Sequence, residues 1–143
     1  MRFMAVVKAT KDTEAGKMPE EKDFARMGAF AEELVKAGVL LAGEGLHPSS
    51  KGARVRFSGS SRAVIDGPFA ETKELIASFW LLQCSSLAEA IEWIKRSPKM
   101  GPEDWEIEIR QVFEADDFGA EFTPELREAV ERRRATVAAP EGS

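Results

Sequence analysis

The sequence predicts an α+β chain, with a ferredoxin-like subunit of the order βαββ(β)αβ over residues 1–113 and a helical C-terminal extension over 114–143. Strand and helix periodicities alternate over the first range as strand, helix, strand, hairpin, strand, helix, strand. Two of these strands are apolar on both faces, although two helices can cover only one face of a sheet. We therefore expect a homodimer in which two sheets pack face to face as a dimeric α/β barrel.

Composition and charge exclude several classes of protein. The chain has 143 residues and a mass of 15.8 kDa, with 20 Lys and Arg against 25 Asp and Glu and a net charge of −5. This acidic balance does not attract nucleic acid or an anionic membrane, so we expect neither as a partner. One cysteine, Cys84, and one histidine, His47, exclude an internal disulfide and a multi-Cys/His zinc site. The early charges of residues 1–8 are not those of a signal peptide, and we expect a cytoplasmic location.

The first strand and helix occupy the start of the chain. Phe3–Val7 is apolar and β-branched and predicts a strand, whereas the polar residues 8–17 predict a loop. Pro19 suits a first helical turn, and the helix runs through Lys36 to a C-terminal cap at Gly38. Its acidic first-turn residues are Glu20, Glu21 and Asp23, and its apolar face is Phe24, Met27, Ala31 and Leu34.

The middle of the chain predicts four further strands, two of which are joined by a short turn. Residues 39–44 form the second strand, and residues 54–57 and 63–65 flank a short turn that predicts a β-hairpin. The strand over residues 75–84 is apolar on both faces, with Trp80 expected to point into the barrel interior.

The second helix and the last strand complete the predicted domain. Ser86 and Glu89 form a capping box, in which both side chains bond free backbone N–H groups, and the helix that they open ends at Pro98. Trp105–Val112 alternates between apolar and charged residues and predicts a strand with one wet or pocket-lining face.

The C-terminal extension predicts one helix. Thr123 caps it, it runs to about Arg134, and residues 138–143 predict a frayed tail. Acidic and basic residues share this helix, which is typical of a solvated face or of a helix that docks on a partner.

The segment DGPFAETKE at residues 66–74 resembles the signature of the DGPF subgroup of the YCII-related proteins. The similarity extends over residues 1–113 and includes GEGLHP at 43–48 and the segment from Phe79 to Trp93. The resemblance implies a ferredoxin-like fold, a dimeric α/β barrel and a pocket near the dimer interface, but no general reaction. Better-studied YCII relatives carry a suspected catalytic histidine on the first helix, which this chain lacks between residues 20 and 36.

Three residues are candidates for acid and base chemistry. Asp66 begins a Gly-Pro turn, where a carboxylate acts either as a general base or as an acceptor of backbone hydrogen bonds. His47 is the side chain with an ordinary pKa nearest to neutrality, although its Gly/Ser-rich loop also suits an exposed residue. Lys73, which lies between two carboxylates, suits contact with an anion or a carbonyl, or simple solvation.

Four more residues are candidates for ligand binding. Glu44 can line a pocket with His47, and Glu71 belongs to the charged cluster around Lys73. Arg54 can grip a carboxylate or form an interstrand salt bridge, and Trp80 can stack on a planar ligand or pack in the core.

Two hypotheses of function follow. The first is an enzyme or enzyme-like protein that needs no cofactor and acts on a small polar or aromatic metabolite, with Asp66 as base and His47 or Lys73 assisting. The second is a non-catalytic ligand-sensing or protein-interaction module in which the DGPF turn is structural. Metal binding by Glu44, Asp66, Glu71 and His47 has no recognisable ligand spacing, so we expect no metal.

Overall fold

A four-stranded antiparallel sheet carries the fold, and its strand order is β2-β5-β1-β6. The structure is a computed structural model that describes residues 1–139. It divides into two units, residues 1–112 and the segment from Phe113 onward. The strands of the described residues are β1 (Arg2–Lys8), β2 (Leu40–Gly45), β3 (Ala53–Ser58), β4 (Ser61–Asp66), β5 (Ile76–Gln83) and β6 (Ile107–Gln111).

Four helices and three 3-10 turns connect and cover these strands within the described residues. The predicted α+β class is confirmed. The helices are α1 (Lys11–Glu14), α2 (Glu21–Lys36), α3 (Leu87–Ile94) and α4 (Pro124–Ala138), and the 3-10 turns are Ser49–Lys51, Thr72–Glu74 and Ala115–Asp117.

β1 is a central strand, and one of its faces forms the core. Phe3, Ala5 and Val7 are buried, and the residues between them are half-buried, so the strand alternates as its pleat requires. The register pairs Ala5 with Trp80 on β5 and with Ile109 on β6. Side chains that lie directly opposite one another share a face, so these three residues lie on the same side of the sheet.

Two helices cover this face of the sheet. α2 supplies Phe30 and Leu34 and α3 supplies Ala90 and Ile94 to the same apolar cluster as Phe3. Full burial of a Phe, Leu or Ile side chain contributes roughly 1.5–3 kcal/mol to the stability of the fold. The predicted βαβ order therefore produces one core on one side of the sheet.

The expected orientation of Trp80 is wrong. Its ring packs edge-on against Phe30 of α2, with 5.6 Å between centroids and 86° between planes, so it lies on the helix-covered face. Phe79, the preceding residue, belongs to the opposite face because strand side chains alternate. Sequence periodicity separates the two faces of this strand but does not show which one the helices cover.

Two details of the first helices differ from the prediction. The loop predicted over residues 8–17 contains the one-turn helix α1, whose Thr10 and Thr13 side chains each bond the other's backbone N–H. α2 begins at Glu21, and Glu20 is its N-cap, with Asp23 accepting the Glu20 N–H at 3.1 Å. The predicted cap at Gly38 is confirmed by a φ of 71°.

The predicted hairpin forms a separate two-stranded sheet. β3 and β4 pair from Ala53 opposite Asp66 to Ser58 opposite Ser61, and Gly59 makes the turn with a φ of 58°. Every residue of both strands is exposed.

The predicted last strand is shorter than expected. β6 begins at Ile107 rather than at Trp105, and Ile107 and Ile109 pack against the core while Glu108 and Arg110 are exposed. The predicted alternation is therefore confirmed over the part of the segment that pairs with β1.

The unit that begins at Phe113 contains a cluster of three phenylalanines, of which Phe113 and Phe118 are stacked and Phe118 and Phe122 are tilted. Phe118 lies 5.1 Å from Phe113 and 5.2 Å from Phe122, measured between ring centroids. Thr123 caps α4 by accepting the Leu126 N–H, as predicted, but the helix extends past Arg134 to Ala138. Ala138 was expected in the frayed tail, and residues 140–143 of that tail lie outside the described residues.

No helix within residues 1–139 is both long enough and apolar enough to cross a membrane.

Replacing Gly28 with alanine is expected to stabilise the protein by about 0.5–1 kcal/mol, because glycine is a poor helix former and an added methyl group meets no atom within 4 Å. Urea unfolding measures the change. Gly38→Ala is the matched control, since Gly38 has a φ of 71° and alanine there destabilises the fold. Gly28 lies on α2, and a loss of stability in Gly28→Ala would contradict the open space found around it.

A second prediction concerns the capping box at the start of α3. Ser86 accepts the Glu89 N–H as predicted, but the Glu89 carboxylate accepts from the Ser85 hydroxyl and N–H, not from the Ser86 N–H. The Ser85 hydroxyl hydrogen bond is the main cause of a lowered pKa of Glu89. The ionised Glu89 carboxylate therefore stabilises the fold above the ordinary pKa of glutamate. This stabilisation is lost as the pH falls through the lowered pKa of Glu89 in the folded protein.

Ser85→Ala is therefore expected to raise the pKa of Glu89 toward its ordinary value, as measured by an NMR titration of the carboxylate. Ser86→Ala serves as the control, because it removes the helix cap but leaves the hydroxyl donor of Ser85 in place. An unchanged titration in Ser85→Ala would show that the hydroxyl does not stabilise the charged form.

Candidate functional site

A cavity of about 400 Å³ lies within residues 1–112, between the first half of α2 and the helix-covered face of the sheet. Its walls are mainly aromatic and aliphatic. Phe24 and Met27 come from α2, Trp80 from β5, and Met100 and Trp105 from the segment before β6. This volume and lining match those of small-molecule sites in proteins, which are concave, mostly apolar and roughly 300–1,000 Å³ in size.

Two glycines on β2 make room for the cavity. Gly43 lies opposite Trp80, and Gly45 opposite Ser78, so both positions face α2. A Cβ on Gly43 would lie 2.8 Å from the Cε3 atom of Trp80, so the indole ring needs glycine there. A Cβ on Gly45 would meet no atom within 4 Å. The cavity therefore extends over a stretch of strand without side chains.

The exposure of Phe24 shows that the predicted core face of α2 is partly wrong. Its helical spacing places it with Met27 and Leu34, yet it is 60% exposed. Phe24 borders the cavity instead of filling the core, and Phe30, outside the predicted set, is buried in its place. Helical spacing identifies the side of α2 that faces the sheet but cannot show that part of this side meets empty space.

The polar groups around the cavity are few, and several are already engaged. The Asp23 carboxylate accepts the Glu20 N–H and lies 3.5 Å from the Nη1 atom of Arg26. The Thr13 hydroxyl is bonded to the backbone of Thr10. The Ser78 hydroxyl makes no hydrogen bond within residues 1–139, so it is available to a ligand.

Glu44 borders this cavity through the strand backbone. It lies opposite Phe79, so its side chain belongs to the face of the sheet away from α2. Of the seven predicted site residues, Glu44 and Trp80 border the cavity.

The DGPF turn lies elsewhere and is fixed by backbone contacts. Asp66 ends β4 in an exposed position, and the Gly67 N–H donates to the Gly52 carbonyl at 3.0 Å. The Phe69 N–H donates to the Ser49 hydroxyl oxygen at 3.1 Å. The Arg54 guanidinium, a predicted ligand contact, stacks on the Phe69 ring at 3.9 Å from its centroid.

Ser49 joins the DGPF turn to α1. Its hydroxyl donates to the Glu14 carboxylate at 2.6 Å while accepting from Phe69, and its N–H donates to the same carboxylate at 3.0 Å. An added Cβ on Gly67 would lie 1.7 Å from the Ser49 carbonyl oxygen. Only glycine therefore allows the two backbone segments to lie this close together.

The other predicted residues are dispersed. His47 is exposed in the loop after β2, and Glu71 is exposed with a φ of 59°. Lys73 borders a second cavity of about 260 Å³ with Lys8 and Glu103. The structure does not gather Asp66, His47 and Lys73 around either cavity, and their catalytic roles stay predictions.

Two further observations concern metal and thiol chemistry. Among residues 1–139, no group of three or more His, Cys, Asp or Glu side chains is placed to hold a metal ion. Cys84 is buried, and its burial raises the pKa of the thiol.

Sequence reasoning missed Phe24, Trp105, Gly43 and Gly45 as cavity residues. The available signal was the pair of glycines two apart on a predicted strand, which places both on one face and leaves that face bare.

Three similarities to known proteins bear on this chain. A model of the YCII-related domain matches residues 1–116. An uncharacterised protein from Rhizobium meliloti (strain 1021) is 34% identical over 96 residues, which cover 67% of this chain and 77% of that protein.

Among solved structures, 5-chloro-2-hydroxyhydroquinone dehydrochlorinase from Burkholderia phenoliruptrix, in complex with 2,5-dihydroxybenzoquinone, has a TM-score of 0.39 and 13% identity. The likeness covers 79% of this chain and 94% of that one. At this level of similarity, nothing about activity carries over to this chain.

Gly67→Ala is expected to destabilise the fold by roughly 1–3 kcal/mol, because the added methyl group overlaps the Ser49 carbonyl and the backbone must shift. Thermal unfolding measures the loss. Gly45→Ala is the matched control, since its methyl group enters open space and stability should change by less than about 0.5 kcal/mol. Equal effects of the two substitutions would contradict the close packing of the DGPF turn on Ser49.

Proposed function

We propose that this chain, which belongs to the YCII-related family, binds a small aromatic metabolite in the cavity beneath α2. The observation that carries the proposal is the cavity itself: about 400 Å³ of space lined by aromatic side chains over a glycine floor. An apolar space of this size next to a well-packed core is unusual, because protein interiors otherwise leave few voids larger than a water molecule. A ligand that fills it gains the contacts that the glycines leave unmade.

The lining favours a flat ligand with few polar groups. Phe24, Trp80 and Trp105 offer ring surfaces, and aromatic pairs gain about 0.5–1.5 kcal/mol beyond the area that they bury. The free Ser78 hydroxyl supports one hydrogen bond to a ligand oxygen or nitrogen. Specificity would then come mainly from shape.

Binding without chemistry fits this geometry better than acid–base catalysis. A general base must lie within about 2.6–3.2 Å of the proton that it removes, directly or through one water. Asp66, His47 and Lys73 do not border this cavity, and the Asp23 carboxylate is held by the N-cap of α2 and by Arg26. The geometry therefore supports the ligand-sensing alternative.

The DGPF turn is, in this proposal, a structural element. Its contacts with Ser49 and Gly52 support that role, as does the stacking of Arg54 on Phe69. Membership of the DGPF subgroup is also proposed, on the segment DGPFAETKE at 66–74.

A ferredoxin-like topology and a dimeric barrel complete the proposal. The order β2-β5-β1-β6, with α2 and α3 on one face, supports the topology. Support for the dimer comes from the face away from α2, where Met4, Val6, Phe79 and Leu81 are only half-buried. The cytoplasmic location stays a prediction.

The test is a screen of aromatic metabolites by thermal shift and by tryptophan fluorescence, since Trp80 and Trp105 border the cavity. A ligand at about 100 times its Kd should stabilise the fold by roughly 2.7 kcal/mol. Gly45→Leu is expected to abolish the shift, because its side chain extends into the open space above Gly45, where an added Cβ meets no atom within 4 Å.

Asp66→Asn is the discriminating control for this screen. It is expected to leave the affinity unchanged, since Asp66 lies outside the cavity. A ligand lost in Asp66→Asn but retained in Gly45→Leu would move the site to the DGPF turn. Turnover of the ligand by the wild type would replace the sensing proposal with an enzymatic one.

A further inference from the structure

We propose that the ligand of the cavity beneath α2 carries a carboxylate, which binds in a basic cavity beside it. The inference rests on the proposed function and narrows its ligand class from aromatic metabolites to aromatic acids. The ring lies in the cavity lined by Phe24, Trp80 and Trp105, the aromatic cavity. The carboxylate lies in the basic cavity, whose cations come from the loop between α1 and α2, from α2 and from the segment after α3.

The basic cavity adjoins the aromatic cavity. Each has a volume of about 400 Å³, and both belong to the unit of residues 1–112. Their linings have four residues in common, which are Thr13, Pro19, Asp23 and Met100. Because the two spaces share these walls, a short side chain on a ring in the aromatic cavity reaches the basic one.

The lining of the basic cavity holds one more positive than negative charge. Its three acidic residues are Asp12, Glu20 and Asp23, and its four basic residues are Lys17, Lys22, Arg26 and Lys99. The whole chain has a net charge of −5, so this local excess opposes the overall charge. A single carboxylate on a ligand neutralises the excess, whereas a doubly charged phosphate exceeds it.

Each acidic side chain of the basic cavity already has a basic partner. The N–O distances are 3.8 Å for Lys17 and Asp12, 3.4 Å for Lys22 and Glu20, and 3.5 Å for Arg26 and Asp23. Lys99 makes no ion pair within residues 1–139. Its ammonium donates to the Gly101 carbonyl at 2.8 Å, and an ammonium has three donors, so two are left for a ligand.

Arg26 lies beside Lys99 and is held in place. Its Nη2 atom donates to the Lys99 carbonyl at 3.3 Å, and its Nη1 atom lies 3.5 Å from the Asp23 carboxylate. The side chain is still 52% exposed, and a guanidinium has five N–H donors, so several remain accessible. Charge-assisted hydrogen bonds from Arg and Lys to a carboxylate are stronger than those between neutral groups. We therefore place the ligand carboxylate between Arg26 and Lys99.

The test compares naphthylalkanoates with one to four methylene groups and the naphthylalkanols of the same length, by isothermal titration calorimetry. The members of each pair differ in the carboxylate alone as a charged group. At the best length the acid is expected to bind roughly tenfold more tightly than the alcohol in 0.1 M salt. This preference should shrink in 1 M salt, because salt screens partly exposed charges.

Lys99→Met is expected to remove the preference for the acid and to leave the affinity for the alcohol unchanged. The substitution deletes a cation that has no carboxylate partner within residues 1–139, so it leaves no acidic side chain unpaired. Lys95→Met is the matched control, because it removes the same charge outside the linings of both cavities and should keep the preference. Circular dichroism checks that both variants stay folded.

The outcomes separate this inference from the proposed function. Equal affinities for acid and alcohol, or a preference that survives Lys99→Met, would overturn the basic cavity and leave the aromatic site standing. Failure of both series to bind would overturn both proposals. Gly45→Leu should abolish binding of acid and alcohol alike, since both place their ring in the aromatic cavity. Acid binding that persists in Gly45→Leu would contradict a single ligand spanning the two cavities.

Discussion

The burial of β1 is the constraint on which the rest of the first unit depends. Phe3, Ala5 and Val7 lie in the middle of the sheet between β5 and β6, and each is at most 3% exposed. Only helices on that face can cover these residues, so the positions of α2 and α3 are fixed by the same apolar stripe. The register of β5 on β1 places Leu82 opposite Phe3, so Leu82 joins the core that β1 defines.

The cavity is a consequence of how this core ends. Near β1 the space between sheet and helix is filled by Phe30 and Leu34, but over the edge strand β2 the facing positions are Gly43 and Gly45. Gly43 admits the Trp80 ring, whereas nothing occupies the space above Gly45. Because both belong to the helix-covered face, the cavity and the hydrophobic core are continuous, and a ligand of the proposed kind would complete the packing that the edge strand leaves open.

The sequence predicted those features that depend on local periodicity. β1, β5, α2 and α3 were recognisable because each repeats its apolar residues at the spacing of one element, and Gly38 was recognisable as a helix end. The cavity depends on segments far apart in the chain, so the pattern around Phe24 could not distinguish core from empty space. The predicted orientation of Trp80 was wrong for the same reason. Both faces of β5 are apolar, and only the position of α2 shows which face the helices cover.

The DGPF segment shows why a strong sequence signal need not mark a reacting group. Gly67 is required by the carbonyl of Ser49, and the Phe69 N–H is bonded to the hydroxyl of Ser49, which also holds the Glu14 carboxylate of α1. One short turn therefore fixes the base of the exposed hairpin and the helix that carries Thr13 to the cavity wall. Glycine is needed wherever two backbones approach this closely, so close packing alone explains the glycine of the motif. Asp66, at the exposed end of β4, is the member of the motif for which packing gives no such reason.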